Sequence, residues 1–213
     1  GFLAGLRVLC DRHGILLIFD EVQSGIGRTG RMFASEHWGV VPDIISLAKG
    51  LGSGLPIGAV VARRVLMQRW SRGAHGNTYG GNPVTCAAAI ATLDLVEHEH
   101  AANAAAMGEH FMGRLRDLAA RHDCIAEVRG RGLMIGMELV EDRRSMAPAR
   151  ELVEALTTRA FHNGLLLLSC GRSTIRFMPP LCVTRAEIDE AFAILSASLD
   201  EALAETRPGA VPA

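Results

Sequence analysis

The 213-residue chain is almost neutral, with 22 Lys and Arg against 23 Asp and Glu and a net charge of −1. This balance argues against nucleic acid or an anionic membrane surface as the partner, because both attract strongly basic proteins. Residues of hydrophobic type make up 49% of the chain, enough for a sizeable core, yet the longest apolar runs are too short to span a bilayer. Five scattered cysteines without CxxC spacing indicate reduced thiols in a cytoplasmic protein and predict neither a disulfide framework nor a zinc site.

The first 82 residues show a pattern of short strands and helices that is typical of an α/β protein. An amphipathic helix is predicted at residues 2–13, with Gly14 as its end. The apolar run at 15–19 predicts a buried parallel strand, which ends at Asp20. Further strands are predicted at 44–47 and 57–62, and a short helix at 32–38.

The remainder of the chain predicts a long helix followed by an α+β region. Asn82-Pro83 is a helix start, and the Ala-rich stretch after it runs to about residue 122 with a possible break at 97–103. Strands are predicted at 125–128, 133–139, 165–169 and 174–177, and helices at 149–162 and from the capping box of Thr184 and Glu187 onward. We therefore expect a large-domain part at 1–82, a connecting helical segment at 83–122, a small α+β domain at 123–206 and a frayed tail at 207–213.

Two short motifs suggest other functions only weakly. Gly25, Gly27 and Gly30 spell GxGxxG, but five residues separate Gly25 from the strand, and no apolar helix follows promptly. The sequence His98-Glu99-His100 contains metal-ligand residue types, but adjacent positions on a helix point apart and HExxH spacing is absent. A solvated helix face is the better interpretation of the histidines.

An acid and a lysine each follow a predicted strand. Asp20 ends the strand at 15–19, and Lys49 follows the strand at 44–47 and precedes a glycine-rich loop. Each residue alone is more often a structural turn residue. Basic residues elsewhere are nearly all arginine, and an amine that condenses with an aldehyde must be lysine, since arginine keeps its proton. Together, the two side chains are the pair needed to hold the ring nitrogen and the aldehyde carbon of one cofactor.

Several linked motifs carry a family resemblance over nearly the whole chain. They lie, in order, at residues 18–30 (IFDEVQSGIGRTG), 42–56 (PDIISLAKGLGSGLP), 75–83 (HGNTYGGNP), 127–134 (EVRGRGLM), 164–171 (GLLLLSCG) and 175–180 (IRFMPP). These stretches resemble the class III aminotransferases of pyridoxal-phosphate (PLP) fold type I, which include the 4-aminobutyrate, ornithine and acetylornithine aminotransferases. The resemblance implies an α/β fold with part of the PLP-binding large domain and an α+β C-terminal small domain.

The resemblance also implies a set of cofactor-binding residues. Asp20 would bind the protonated pyridine nitrogen of PLP, and Val22 would pack on a face of the ring. Gln23 would lie near the phenolic oxygen of the ring. Lys49 would bind the cofactor covalently and, once displaced by substrate, would carry the proton in catalysis. Thr78 would donate to the cofactor phosphate of a neighbouring subunit, so we expect a homodimer with shared active sites.

The substrate side of the resemblance rests on Arg176, whose planar guanidinium would bind the substrate carboxylate as a bidentate pair. The implied reaction moves an amino group from an amino acid, with 4-aminobutyrate or a similar ω-amino donor as the first choice, to a 2-oxo acid such as 2-oxoglutarate. Stretch 170–177 also resembles some PLP-dependent racemases and epimerases of the same fold, and the residues do not decide between the reactions.

The resemblance further implies that roughly the first half of such an enzyme is absent from this sequence, which begins at Gly1 within a helical pattern. We therefore expect the 213 residues to be an incomplete enzyme that is inactive alone. A non-enzymatic remnant that only pairs with another chain is the remaining alternative.

Overall fold

The computed structural model describes residues 1–206 and divides the chain into two units, Gly1–Ala102 and Asn103–Ala213. The predicted tail at 207–213 lies outside the described residues.

The first unit is built around a three-stranded mixed sheet with the order β1-β2-β3. Its strands are β1 (Ile18–Asp20), β2 (Ile44–Leu47) and β3 (Ala59–Ala62). β1 runs parallel to β2, with Asp20 opposite Ser46, and β3 runs antiparallel to β2. The helices are α1 (Phe2–His13), α2 (Arg64–Met67) and α3 (Pro83–Leu95), and 3₁₀ turns occupy Ala34–Trp38 and Lys49–Gly52.

The predicted elements of the first unit are largely confirmed, but the burial of its first strand is not. The helix at 2–13 ends at Gly14, which adopts the left-handed conformation at φ 63°, and the strand at 44–47 has the predicted bounds. The strand predicted at 15–19 is shorter, at Ile18–Asp20, and Ile18 is 58% exposed. The expectation of a buried strand is therefore wrong for the described residues, because β1 is an edge strand that pairs only with β2.

The predicted helix start at Asn82-Pro83 is confirmed. The Asn82 side chain accepts hydrogen bonds from the backbone N–H groups of Val84 and Thr85, which caps the first turn of α3. The break predicted at 97–103 is instead a π-helical segment, Val96–His100, after which α4 (Ala101–Ala119) continues. One extra residue within the turn lets the helix go on without a loop.

The second unit contains a four-stranded antiparallel sheet with the order β4-β5-β7-β6. Its strands are β4 (Ile125–Arg131), β5 (Met134–Leu139), β6 (Leu168–Cys170) and β7 (Thr174–Phe177). Two further helices are α5 (Arg150–His162) and α6 (Arg185–Thr206). The predicted capping box is confirmed, since the Glu187 carboxylate accepts from the Thr184 backbone N–H at 2.7 Å and the Thr184 hydroxyl accepts from the Glu187 N–H at 3.3 Å.

The core of the second unit lies between one face of this sheet and its helices. Alternate residues of β5 are completely or almost completely buried, as the two-residue period of a strand requires: Ile135, Met137 and Leu139. They pack in one cluster with fully buried leucines of α4, α5 and α6, namely Leu115, Leu156, Leu195 and Leu199. Complete removal of these side chains from water is the main contribution to the stability of this unit.

Gly108 of α4 lies directly against the turn between β4 and β5. A Cβ atom at this position would overlap the backbone carbonyl of Gly132, which cannot yield without moving the turn. The absence of a side chain at position 108 therefore sets how closely the helix approaches the sheet.

We expect Gly108→Ala to lower the free energy of unfolding by about 1–3 kcal/mol, the usual cost of overpacking a core. Gly113→Ala on the same helix is the matched control, because no atom lies within 4 Å of a Cβ there. That control should be neutral or stabilising by up to about 1 kcal/mol, since alanine is the better helix former. Urea denaturation measures both variants, and equal effects would contradict the close approach.

Asp43 fastens α1 and the segment before β1 to the start of β2. Its carboxylate accepts from the Leu17 backbone N–H at 2.9 Å and from Arg7 at 2.8 Å, and it pairs with Arg63. The Leu17 hydrogen bond, followed by that of Arg7, lowers the pKa of Asp43 below its ordinary value. Because the folded-state pKa is depressed, this carboxylate stabilises the fold above the ordinary aspartate pKa, and the contribution is lost as pH falls through the folded-state value.

Asp43→Asn should therefore lower stability at neutral pH and flatten the acid side of the stability profile. The measurement is thermal unfolding at a series of pH values from neutral down to the acid transition. Asp117→Asn is the control, because Asp117 is exposed and forms no ion pair among residues 1–206. If both variants kept the wild-type pH slope, the network around Asp43 would not contribute to acid sensitivity.

Candidate active site

The parallel pairing of β1 and β2 brings two chemically active residues to one edge of the first unit's sheet. Asp20 is the last residue of β1, and Lys49 follows the end of β2 at Leu47 by two residues. The Glu21 backbone N–H donates to the Ser46 carbonyl at 3.0 Å, so the ladder extends past Asp20. Since the strands are parallel, their carboxyl ends meet at the same edge, where α/β sheets place ligands.

Lys49 is exposed and begins the 3₁₀ turn at Lys49–Gly52. Its Nζ atom donates to the Gln23 Oε1 atom at 3.2 Å, which joins the two loops that follow β1 and β2. Asp20 is also exposed, and its Oδ1 atom accepts from the Val22 N–H at 3.0 Å. No ion pair joins Asp20 to Lys49 within residues 1–206. The carboxylate and the amine are therefore not neutralised by each other.

Lys49 is also the only lysine of the chain, since the other 21 of the 22 Lys and Arg residues are arginines. The backbone φ angle of Lys49 is 45°, in the left-handed region that few residues other than glycine adopt. Such outliers persist where the surrounding structure fixes them, and they occur preferentially at functional sites.

Glu21 organises the loop after β1, and the sequence analysis did not identify it. Its side chain is 2% exposed, and its carboxylate accepts from the backbone N–H groups of Ala34 and Ser35 at 2.8 Å each and from the Ser24 hydroxyl at 3.0 Å. These bonds hold the segment that contains Val22 and Gln23. The available signal was strand alternation, which points adjacent acids to opposite sides, so that one of Asp20 and Glu21 must face inward.

The other predicted cofactor residues of the first unit differ in their surroundings. Val22 is half-buried beside Asp20, whereas Thr78 lies in an exposed turn at residues 78–81. No hydrogen bond joins the Thr78 side chain to Asp20, Gln23 or Lys49 in the described part of the chain. The structure therefore brings Asp20, Val22, Gln23 and Lys49 together, and the roles of these residues and of Thr78 stay predictions.

Arg176 belongs to the second unit and lies in the middle of β7, between Gly136 of β5 and Leu168 of β6. It lines a cavity of about 250 Å³, whose walls include Leu166, Leu168 and Phe177. Its guanidinium forms no ion pair with any of residues 1–206. The Glu187 carboxylate also lines this cavity, where it accepts hydrogen bonds from Thr184. Arg176 is thus the cation of a mainly apolar lining, which suits a carboxylate that carries a short carbon chain.

The two weak motifs find no support as functional sites. No helix follows Gly30 directly; the next helical residues are the 3₁₀ turn at Ala34–Trp38. Among residues 1–206 no group of three or more His, Cys, Asp or Glu side chains is arranged to hold a metal ion. None of the helices described here combines the length and the apolar character that crossing a membrane requires.

Comparisons with known proteins show the family to which the chain belongs. The family model of aminotransferase class-III matches residues 1–199. The chain is 44% identical over 203 residues to the 5-aminovalerate aminotransferase DavT of Pseudomonas aeruginosa, covering 94% of this chain and 48% of that protein. It is 46% identical over 201 residues to the acetylornithine aminotransferase of Corynebacterium efficiens, with 94% and 47% covered.

A solved relative extends the agreement to the fold. The ornithine aminotransferase of Toxoplasma gondii, in which PLP partly occupies the active site, superimposes with a TM-score of 0.87 at 34% identity, covering 96% of this chain and 47% of that one. The chain therefore belongs to the class III aminotransferase family and has its mixed α/β fold. It spans about half the length of the curated relatives that it matches.

We expect Glu21→Gln to destabilise the first unit by about 2 kcal/mol, because an amide nitrogen replaces one of two oxygens that accept backbone hydrogen bonds. Amide hydrogen exchange at Ala34 and Ser35 should become faster. Glu36→Gln is the control, since Glu36 is exposed and, among residues 1–206, its carboxylate accepts only from the Phe33 N–H. The remaining amide oxygen of glutamine can keep this one bond, so the change should cost at most about 0.5 kcal/mol. Equal costs for the two variants, without faster exchange at Ala34, would contradict the role of Glu21.

Proposed function

We propose that this chain supplies Lys49 and Asp20 to a PLP-dependent aminotransferase. The enzyme moves an amino group from an ω-amino acid to a 2-oxo acid such as 2-oxoglutarate. The observation that carries the proposal is the pair at the shared edge of β1 and β2: an exposed amine and an exposed carboxylate that form no ion pair with each other.

The residues at this edge fit PLP in their chemistry. The aldehyde of PLP requires a primary amine, and Lys49 is the single lysine that the chain offers. The ring nitrogen requires an acid, and Asp20 ends the neighbouring strand. Gln23 lies within hydrogen-bond distance of Lys49, which suits a contact to the phenolic oxygen next to the aldehyde. When bound, PLP supplies an electron sink for the negative charge that develops at the amine-bearing carbon.

Each side chain has a defined task in this proposal. The Asp20 carboxylate keeps a proton on the ring nitrogen by charge pairing. The Lys49 Nζ atom binds the cofactor covalently at rest and, when released, removes a proton from the amine-bearing carbon of the donor. Val22 packs against the ring. Glu21 keeps the loop that carries Val22 and Gln23 in place through its three hydrogen bonds.

An ω-amino donor is supported by the relatives and by the cavity at Arg176. The Pseudomonas aeruginosa relative is named for 5-aminovalerate, an acid whose amine lies on the terminal carbon. Arg176 lines a mainly apolar cavity of about 250 Å³, and its guanidinium suits the distant carboxylate of such a donor or the carboxylate of the acceptor. A donor such as 4-aminobutyrate has the same two ends with one carbon fewer.

The assembly around this chain is part of the same proposal. The chain matches about 48% of the DavT sequence, so residues outside it would complete the phosphate and substrate sites. Thr78, on an exposed turn, is proposed to reach the cofactor phosphate of a second copy in a homodimer. We place the reaction in the cytoplasm, in agreement with the free cysteines among the described residues.

Borohydride reduction after incubation with PLP tests the central residue. We would express the 213-residue chain and a longer product that includes the upstream coding sequence. Because Lys49 is the only lysine of these 213 residues, the mass of the peptide that contains it reports attachment directly. We expect one pyridoxyl group on Lys49 in the longer product and none in Lys49→Arg, since arginine keeps the charge but cannot form the bond.

The activity assay separates the proposed reaction from its rivals. Transamination requires that donor loss depends on added 2-oxoglutarate, whereas a racemase would remove Cα chirality without an oxo acid. Lys49→Arg should lower the rate by at least about 10³-fold, because a covalent and a proton-transfer role are lost together. Absence of a label on Lys49 in both products would refute the proposal and favour a non-enzymatic role.

A further inference from the structure

A second cavity of the second unit shares no residue with the proposed PLP site or with the cavity at Arg176. It has a volume of about 530 Å³ and lies between the first turns of α5 and the turn that joins β6 to β7. Its lining includes Arg150, Thr157, Ser169, Arg172 and Ser173. The proposed aminotransferase reaction uses none of them.

The cavity holds two guanidinium groups that lack a counter-charge. Within residues 1–206, the side chains of Arg150 and Arg172 form neither an ion pair nor a hydrogen bond. Arg159, on the same helix as Arg150, is by contrast paired with Glu205 at 2.9 Å. Two positive charges that line one cavity repel each other. A bound anion would offset this repulsion, because each guanidinium attracts it.

One acid also lines the cavity. Glu154 lies one helical turn after Arg150, but no ion pair joins the two in the described residues. The charges of the lining therefore sum to about one positive unit, which favours an anionic occupant.

Ser173 adds a polar group that faces the same space. It is 3% exposed and lines the cavity, and its hydroxyl has no hydrogen-bond partner among residues 1–206. The hydroxyl oxygen is accessible from the cavity, so its hydrogen bond can be made to a bound molecule. An oxygen of a ligand in the cavity would complete this bond.

The N-terminus of α5 also favours an anion in this cavity. This helix has 13 residues, and Ala149 at its N-cap provides no side-chain acceptor for the first N–H groups. The Arg150 N–H donates to the Pro148 carbonyl at 3.0 Å, so the contribution of this helix end is the positive end of its dipole, which favours an anion near Arg150.

We propose that this cavity is a binding site for the oxyanion group, phosphate or carboxylate, of a small molecule. Arg150 and Arg172 hold the charge, and the Ser173 hydroxyl donates to one oxygen. Ser169, at the mouth of the cavity, is placed to donate to another. The site belongs to the second unit alone and does not depend on the PLP-binding residues.

The test is calorimetric titration of the full protein with inorganic phosphate and, separately, with succinate. The PLP site is first filled by the borohydride-fixed cofactor, so that phosphate cannot bind there; a protein that takes no label is titrated directly. Arg150→Gln and Arg172→Gln should each weaken binding by about tenfold, the effect of losing one charge-assisted contact. Ser173→Ala should weaken it by a few-fold. Arg159→Gln removes the same charge from the same helix outside the cavity and should change nothing.

The two probes assign the ligand class. Tighter binding of phosphate identifies a phosphate group, and tighter binding of succinate identifies a carboxylate. No saturable binding of either anion to the wild-type protein would overturn the proposal. An equal loss in Arg159→Gln and Arg172→Gln would also overturn it, since this would reflect general attraction to positive charge. Far-ultraviolet circular dichroism of each variant tests whether the fold is retained. Ser173→Ala measures the contribution of the hydroxyl to binding without changing the net charge.

Discussion

The parallel register between β1 and β2 is the constraint on which the candidate site depends. Asp20 lies opposite Ser46, and the ladder extends through the Glu21 N–H to the Ser46 carbonyl. This register brings the carboxyl ends of β1 and β2 to the same edge of the sheet. A shift of one residue would turn the Asp20 side chain to the opposite face of the sheet. The role proposed for Lys49 depends on this edge, because Lys49 lies two residues after Leu47, the end of β2.

Two buried carboxylates hold the segments next to β1 and β2 in place. The Glu21 carboxylate spans from the end of β1 to Ala34 and Ser35, and Asp43 connects the start of β2 to Leu17 and Arg7. Both acids accept hydrogen bonds from backbone N–H groups outside the strand ladders, at Leu17 and at the start of the 3₁₀ turn, and so satisfy donors that irregular segments would otherwise leave unpaired. The first unit thus relies on hydrogen-bonded carboxylates where the second relies on a continuous apolar core.

The sequence predicts the elements better than it predicts their burial. Helix starts that depend on local chemistry, such as the Asn82 cap and the Thr184 capping box, are confirmed because their signals lie within four residues. The exposure of Ile18 could not be predicted, because the apolar run does not reveal whether another element covers the strand. The sequence predicts an irregularity near residues 97–103, but not that the helix continues there through the π-helical segment Val96–His100.

In the candidate site, too, features with a local sequence signal could be predicted and those that depend on distant residues could not. Asp20 and Lys49 are identifiable because strand ends and residue type can be read from the sequence. Glu21 was missed because its partners, Ala34 and Ser35, lie 13 and 14 residues away. The oxyanion cavity brings Arg150 and Arg172 together from a helix and a hairpin turn, and no short motif encodes that proximity.

The left-handed backbone of Lys49 sets its proposed chemical role against stability at a single position. A residue with a Cβ atom at φ 45° costs roughly 1 kcal/mol relative to glycine, so a glycine here would relax the turn. Mutational drift towards a more stable fold would therefore tend to remove the amine. In the proposed enzyme, the single lysine of a chain with 21 arginines therefore stands at a backbone position where glycine would be the more stable residue.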